Sequence, residues 1–108
     1  AERDNRIMEM NFGDWEMKNF DEISDPRLKE WYADYINVPA TNGESFAIQY
    51  QRVASFLDEL REKNYEKVAI FAHGGVLICA QLYAGAIKLE EAFSALTPYG
   101  GIIQLKLD

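Results

Sequence analysis

The clearest periodic pattern of apolar side chains lies in the middle of the chain. Apolar residues recur at three- and four-residue steps between Phe46 and Leu60, and charged or amide side chains occupy the opposite side. This spacing places the apolar side chains on one face of a helix, and the Ser45 hydroxyl is suited to cap its first turn. We therefore predict an amphipathic helix over residues 46–60.

A shorter helical pattern begins at Asp25 and Pro26. An aspartate can cap a helix, and proline has the φ angle that suits the first helical position. The apolar and aromatic side chains that follow recur at helical spacing, at Leu28, Trp31, Tyr32 and Tyr35. The pattern predicts a short amphipathic helix, and the turn-forming residues within 37–43 predict the connection to the next helix.

Residues 68–72 form a continuous, partly β-branched apolar run, which is typical of a strand buried on both faces of a parallel sheet. The run ends at the sequence His73-Gly74-Gly75, and apolar residues then return at helical spacing over 76–84. This order predicts a strand, a tight turn and a helix.

The last part of the chain adds weaker patterns. Gly85 is placed to end the preceding helix, and a further short helix is predicted around residues 89–96. Residues 102–107 alternate apolar and polar side chains, which indicates an edge strand. Because helices and strands alternate, we predict an α/β layered domain with parallel strands. Two or three strands make a thin sheet, so we expect that further strands of this domain are missing from the chain.

The composition limits the classes of partner. A length of 108 residues allows one domain or part of one. The net charge of −7 argues against nucleic acid and anionic membranes, although a local cluster of donors could still bind a small anionic substrate. One cysteine and one histidine exclude an internal disulfide and argue against a zinc site. The longest apolar run is too short to span a membrane, so we expect a cytoplasmic location.

The strongest candidate for chemistry is the turn His73-Gly74-Gly75. Ligands of open α/β sheets bind outside the carboxyl ends of the strands, and the glycines allow the backbone to approach an anion closely. In the alternative interpretation the histidine is structural and the glycines serve only the turn. An HGG sequence can also form the oxyanion hole of an α/β hydrolase, but this sequence lacks the required G-x-S-x-G elbow.

Glu9 is a second candidate, because it lies between Met8 and Met10 and shortly before Phe12 and Trp15. A carboxyl group among apolar neighbours tends to have its charged form disfavoured, which suits a general acid that delivers a proton to a leaving oxygen. The alternative is a solvated surface glutamate, which is the common state of this residue type. The local pattern by itself leaves both interpretations open.

Three patches of the sequence resemble the histidine phosphatase, or phosphoglycerate-mutase-like, superfamily in order and spacing. They are Glu9 with Phe12-Gly13-Asp14-Trp15-Glu16, then Thr41-Asn42-Gly43-Glu44, and the run 68–72 with His73-Gly74-Gly75-Val76. The forms FGDWEM and TNGE are most similar to those of α-ribazole phosphatases, which act in cobalamin synthesis. The resemblance implies that residues 1–108 are the C-terminal part of one three-layer α/β/α phosphatase domain without its N-terminal strand.

The resemblance also implies roles for the site residues. In this superfamily a histidine attacks phosphorus, and water then hydrolyses the phosphohistidine. Glu9 matches the proton donor to the leaving alcohol, and His73 matches the second active-site histidine. Gly74 matches the position whose N–H contacts the phosphoryl group, and Gly75 completes the phosphate-binding turn. The implied partner is a small phosphorylated substrate, and no metal or organic cofactor is implied.

The sequence differs from the family pattern at several points, and these differences lead to expectations about activity and oligomeric state. The family's nucleophile lies in an Arg-His-Gly motif, which this sequence does not contain. Arg6 lies near the acid but does not match a phosphate-binding arginine, and Met17 stands where a glycine is common. We therefore expect this chain alone to be an inactive fragment. The missing strand would expose the sheet, so we also expect a homodimer, with exchanged elements.

Two further interpretations stay open at this point. A non-catalytic α/β binding or assembly module could retain a phosphate-binding turn without the reaction. Alternatively, the parent protein could be a broad phosphatase or a phosphoglycerate mutase, because loops shape the substrate pocket of this family.

Overall fold

The structure, a computed structural model, describes residues 2–92 and 101–107. Within these ranges the α-helices are α1 (Arg27–Ala33), α2 (Phe46–Glu62) and α3 (Gly74–Tyr83). Short 3₁₀ turns lie at Asn5–Ile7, Gly13–Trp15, Phe20–Glu22 and Leu89–Glu91. The chain divides into a larger unit, Ala1–Glu9 with Tyr50–Asp108, and a smaller unit, Met10–Gln49. That residues 1–108 belong to one domain stays a prediction.

The first two predicted helices are confirmed, with their capping residues. α2 begins at the predicted residue and continues to Glu62, and the Ser45 hydroxyl accepts a hydrogen bond from the Ile48 N–H at 3.2 Å. α1 is shorter than its apolar pattern, and Asp25 Oδ1 accepts a hydrogen bond from the Arg27 N–H at 2.9 Å. In both helices a side-chain oxygen thus satisfies a main-chain donor that the helix itself leaves unpaired.

The predicted helix after the glycine turn is also confirmed. α3 starts at Gly74 and ends at Tyr83, shortly before Gly85, whose φ of +74° is the left-handed conformation that favours glycine. The Tyr83 hydroxyl donates to Asp58 on α2, and Arg61 Nη1 donates to that hydroxyl at 3.3 Å. Among the described residues of the larger unit, the buried apolar ones are Val53, Leu57, Val76, Ile78, Cys79 and Ala92.

The predicted strand over residues 68–72 is not found. These residues have no regular secondary structure, and the side chains of Val68 and Phe71 are 49% and 91% exposed. A strand is stabilised by main-chain pairing with a neighbouring strand, and no strand exists in residues 2–92 or 101–107 to provide it. The prediction of a strand buried on both faces is therefore corrected, and the α/β class is not confirmed by this structure. The homodimer stays a prediction.

Residues 102–107 likewise lack strand pairing. Their burial nevertheless alternates with the predicted period, with half-buried Ile103, Leu105 and Leu107 and exposed Gln104 and Lys106. Of the helix predicted around 89–96, the structure contains the 3₁₀ turn Leu89–Glu91, and residues 93–100 lie outside the described residues. Across the described ranges, no helix is long and apolar enough to cross a membrane.

The core of the smaller unit is aromatic. Trp15 and Trp31 are 4% and 5% exposed, and their rings pack edge to face with centroids 6.0 Å apart. Ala40 is fully buried beside them, and the partly buried side chains that surround this cluster are Phe12, Ile23, Leu28, Tyr35 and Val38. Edge-to-face packing brings the positive edge of one ring to the negative face of the other, which stabilises the pair beyond its buried area.

Two of the motif patches form interlocking turns in the smaller unit. The Asp14 N–H donates to the Thr41 carbonyl at 2.8 Å, and the Glu44 N–H donates to the Asn11 carbonyl at 2.7 Å. Glu44 Oε1 in turn accepts a hydrogen bond from the Asn11 N–H at 2.8 Å. The sequences FGDWE and TNGE therefore lie against each other, main chain to main chain.

This close approach depends on glycine at two positions. A Cβ atom at Gly13 would lie 2.2 Å from the Thr41 carbonyl oxygen, and a Cβ atom at Gly43 would lie 2.4 Å from the Asn11 carbonyl oxygen. Both distances are far shorter than van der Waals contact. Gly13 also has a φ of +54°, which side chains disfavour.

The Asp25 carboxylate connects three segments of the smaller unit. Asp25 Oδ2 accepts hydrogen bonds from Thr41 Oγ1 at 2.5 Å and from Trp15 Nε1 at 3.2 Å, while Oδ1 caps α1. The hydrogen bond from Thr41, followed by the one from the Arg27 N–H, lowers the pKa of Asp25 below its ordinary value. The charged carboxylate is therefore favoured by the folded state.

We predict that this carboxylate makes the smaller unit acid-sensitive. A lowered pKa in the folded state gives stability that is present above the unfolded pKa and lost as the pH falls through the folded pKa. Asp25→Asn should lower the melting temperature by a few degrees at pH 7 and should flatten its decline below about pH 4, the ordinary pKa of aspartate. The measurement is thermal denaturation followed by tryptophan fluorescence at a series of pH values.

The matched control is Asp21→Asn, which changes an exposed aspartate of the same unit. It should keep both the wild-type stability at pH 7 and the wild-type acid dependence. An Asp25→Asn variant with the same acid dependence as the wild type would contradict the assignment.

Candidate active site

The structure brings the predicted acid to the predicted phosphate-binding turn. Glu9 Oε2 accepts a hydrogen bond from the Gly75 N–H at 3.2 Å, although the two residues are 66 positions apart. Both belong to the larger unit, and both are partly buried. The interpretation of Glu9 as an ordinary solvated glutamate is therefore less favoured than a role at this turn.

The turn itself lies at the start of α3. Gly74 and Gly75 are the first two residues of this ten-residue helix, and His73 precedes it with an extended backbone. The first N–H groups of a helix have no partner within it, and the helix dipole adds partial positive charge there. This end of α3 can thus favour a negatively charged group, and the Gly75 N–H donates to the Glu9 carboxyl oxygen Oε2.

His73 is exposed, and its side chain makes no capping hydrogen bond to the helix. Its carbonyl accepts a hydrogen bond from the Leu77 N–H at 3.0 Å, which closes the first turn of α3. The position is compatible with an imidazole that meets a ligand from solvent. The role of His73 in catalysis stays a prediction.

The segment that carries Glu9 is fixed by charged side chains. Arg6 donates to both carboxylate oxygens of Asp4, at 3.0 Å and 2.7 Å, and to Glu59 on α2 at 3.2 Å. The side-chain hydrogen bond from Arg6 is the main cause that lowers the pKa of Asp4 to about 2. Asp4 in turn raises the pKa of Arg6. Both groups therefore stay charged at neutral pH, and they hold the Asn5–Ile7 turn against α2.

Arg52 is a functional candidate that the sequence interpretation missed. Its guanidinium donates hydrogen bonds to the main-chain carbonyls of Arg6, Met8 and Glu9. In the sequence it stands on the polar side of the predicted helix, where a charged residue is usually solvated. Only the fold reveals that this side of α2 carries the Glu9 segment.

Met17 has an unusual backbone conformation for a methionine. Its φ is +62°, in the left-handed region that favours glycine, and its side chain is fully exposed. This conformation gives a physical reason for the glycine that is common at this position in the resembling family. Met17 belongs to the smaller unit.

The described part of the chain contains no group of side chains arranged to bind a metal ion. Within residues 2–92 and 101–107, no three histidine, cysteine, aspartate or glutamate side chains are grouped closely enough to hold a metal ion. The chemistry available at the Glu9–Gly75 contact is that of a carboxyl group, an exposed imidazole and main-chain N–H donors.

Several known proteins that are similar to this chain carry the names of phosphatases. Over 108 residues the chain is 28% identical to "Putative phosphoserine phosphatase 2" of Hydrogenobacter thermophilus, a match that covers 97% of this chain and 53% of that protein. It is 36% identical over 75 residues to the adenosylcobalamin/alpha-ribazole phosphatase of Escherichia coli, covering 66% of this chain and 37% of that protein. The corresponding enzyme of Salmonella typhimurium is 34% identical over 75 residues, again with 66% and 37% covered.

The chain thus spans about half the length of the first of these relatives and matches about a third of the other two. The family pattern of the histidine phosphatase superfamily (branch 1) matches residues 1–108, the whole of the sequence. The match includes Glu9 and the turn at His73, which the fold brings together through Gly75. On this evidence from sequence, the chain belongs to the histidine phosphatase superfamily.

Proposed function

We propose that this chain supplies the general acid and the phosphate-binding turn of a phosphomonoesterase that works through a phosphohistidine. The observation that carries the proposal is the hydrogen bond from the Gly75 N–H to Glu9 Oε2 at 3.2 Å. A proton donor for the leaving oxygen must lie beside the groups that bind the phosphoryl oxygens. The contact between an acid and a helix N-terminus meets that requirement.

The reaction divides into two balanced steps. In the first, a nucleophilic histidine bonds to phosphorus, the bond between phosphorus and the ester oxygen breaks, and Glu9 gives its proton to the departing alkoxide. In the second, Glu9 takes a proton from water as the water oxygen bonds to phosphorus and the phosphohistidine bond breaks. His73 and the Gly74 N–H stabilise the negative charge that the phosphoryl oxygens carry, while the Gly75 N–H donates to Glu9.

The nucleophile must come from outside these 108 residues, because His73 is the sole histidine of the sequence and is assigned to the phosphoryl group. We therefore propose that the chain alone is inactive and that a longer parent chain is the enzyme. In that chain an Arg-His-Gly segment would precede residue 1.

The proposed substrate is α-ribazole 5′-phosphate, which would place the enzyme in cobalamin synthesis. Two of the relatives carry the name adenosylcobalamin/alpha-ribazole phosphatase, at 36% and 34% identity. The third carries the name of a phosphoserine phosphatase and matches over more of this chain. A phosphomonoester of a small amino acid is therefore the second candidate substrate. We further propose a cytoplasmic location.

The test is phosphate release by this chain and by a longer chain with an Arg-His-Gly segment before residue 1. We expect turnover by the longer chain only, and we expect α-ribazole 5′-phosphate to have a higher kcat/KM than phosphoserine. Turnover by the 108-residue chain would show that its own residues provide a nucleophile. No turnover of either ester by the longer chain would instead favour a non-catalytic binding module.

A further inference from the structure

The main chain around Glu9 is held by one arginine. Arg52 Nη1 donates hydrogen bonds to the carbonyl oxygens of Arg6 at 2.9 Å and of Met8 at 2.6 Å, and Nη2 donates to the Glu9 carbonyl at 3.1 Å. A guanidinium is planar and carries several N–H donors in fixed directions, so one side chain can bind several carbonyls at once. Arg52 therefore fixes the main chain at Glu9 itself and at two residues before it.

The rest of this α2 face supports the same segment. Positions 52, 55, 56 and 59 lie at three- and four-residue steps, and therefore on one side of the helix. The Arg6 guanidinium contacts this side three times: it donates to Ser55 Oγ at 3.4 Å and to Glu59 at 3.2 Å, and it lies 5.4 Å from the centroid of the Phe56 ring. These contacts hold the segment that precedes Glu9, whereas Arg52 also binds the main chain of Glu9 itself.

We propose that Arg52 is a positioning residue for Glu9. By binding the carbonyls of Met8 and Glu9, which lie on either side of the Glu9 Cα, it fixes the direction of the Glu9 side chain and keeps Oε2 at the Gly75 N–H. A carboxyl group on an otherwise irregular segment would sample several directions, and a general acid is effective only within hydrogen-bond reach of its acceptor. The role assigned to Glu9 rests on the proposed function, whereas the effect of Arg52 on the Glu9–Gly75 contact does not.

The test measures that contact directly, as the hydrogen-exchange rate of the Gly75 amide in the 108-residue chain. Glu9→Ala removes the carboxyl group that accepts from the Gly75 N–H, so its Gly75 exchange rate is the reference for complete loss of this hydrogen bond. Arg52→Lys keeps a positive charge on α2 but cannot bind three carbonyls with one planar group. We expect this variant to speed Gly75 exchange by roughly three- to tenfold, the range for loss of one typical hydrogen bond, towards the Glu9→Ala rate.

Two controls separate this effect from a general loss of structure. The Leu77 amide, which bonds to the His73 carbonyl within α3, should exchange at its wild-type rate in the Arg52→Lys variant. Arg61→Gln changes another arginine of α2, one that contacts the Tyr83 hydroxyl, and should leave Gly75 unchanged. If Arg52→Lys leaves Gly75 exchange at the wild-type rate while Glu9→Ala accelerates it, the positioning role is refuted. Equal acceleration at Gly75 and Leu77 would also refute it.

A kinetic measurement in the longer parent chain tests the consequence for catalysis. Arg52→Lys should lower kcat with little change in KM, because Arg52 acts through the acid and not on the substrate. If the longer chain has no phosphatase activity, the proposed function fails, and the Gly75 exchange rate still decides the role of Arg52. If the enzyme is active and kcat is unchanged by Arg52→Lys, the role in catalysis is overturned.

Discussion

Gly13→Ala is expected to unfold or severely destabilise the smaller unit, Met10–Gln49. The new methyl group would lie 2.2 Å from the Thr41 carbonyl oxygen and 2.6 Å from the Gly43 nitrogen, and both are main-chain atoms that cannot turn away. The left-handed φ of +54° adds backbone strain. Strain of about 1–2 kcal/mol and steric overpacking of about 1–3 kcal/mol together lower the free energy of unfolding by about 2–5 kcal/mol.

Gly85→Ala is the matched control for this prediction. Gly85 has a similar φ of +74°, but among residues 2–92 and 101–107, its chain neighbours apart, no atom lies within 4 Å of the position of its Cβ. The Gly85→Ala substitution should therefore lower the free energy of unfolding only by the backbone strain, about 1–2 kcal/mol. The measurement is urea denaturation, followed for Gly13→Ala by tryptophan fluorescence, because both tryptophans, Trp15 and Trp31, lie in the smaller unit, and for Gly85→Ala by far-ultraviolet circular dichroism, because Gly85 lies in the larger unit. Equal losses in the two variants would show that the interlocked turns are looser than the structure indicates.

In a longer chain with an Arg-His-Gly segment before residue 1, the proposed function predicts that Glu9→Gln lowers kcat for an alkyl phosphate by roughly 10²–10⁴-fold, the usual contribution of general acid–base catalysis. Glutamine retains a carbonyl oxygen that can accept from the Gly75 N–H, so the segment should keep its place while the proton donor is lost. For p-nitrophenyl phosphate, whose leaving group needs no proton, the loss in formation of the phosphohistidine should be much smaller. Rapid-quench measurement of that step with both substrates separates the two cases.

Glu2→Gln is the control for this variant, because Glu2 is an exposed glutamate of the same unit. It should leave both rates unchanged. A Glu9→Gln enzyme that loses the same factor with the alkyl and the nitrophenyl ester would contradict the role of Glu9 as the acid. The residue would then act by placing the turn rather than by moving a proton.

The helices of this chain could be predicted from local information alone. Their apolar spacing and caps depend on residues within a few positions of each other, as at Ser45 and Ile48. The strand that the apolar run predicts over 68–72 is not found, because a strand exists only when a second segment pairs with it and local information does not reveal that segment. The same apolar run, without a paired strand in residues 2–92 or 101–107, leaves Phe71 91% exposed.

The contacts of the candidate site could not be predicted from local sequence information either. The His73 turn is indicated by the local pattern and Glu9 by the resemblance, but neither apolar spacing nor composition places a residue against another 66 positions away. Arg52 escaped notice because a charged residue on the polar side of an amphipathic helix is usually solvated. The interlocked turns also depend on main-chain hydrogen bonds, such as Glu44 to Asn11, which the side-chain pattern does not encode.

The contacts of Arg52 have a consequence for how this protein can change over evolutionary time. The guanidinium binds carbonyl oxygens, which every amino acid carries, so the side chain at position 8 can be exchanged without removing a partner of Arg52. Met8 is 59% exposed, so a different side chain at this position would disturb little packing. A change of side chain at Met8 therefore leaves the hydrogen bonds of Arg52 to the main chain around Glu9 intact, so this segment can vary in sequence while its backbone stays in place.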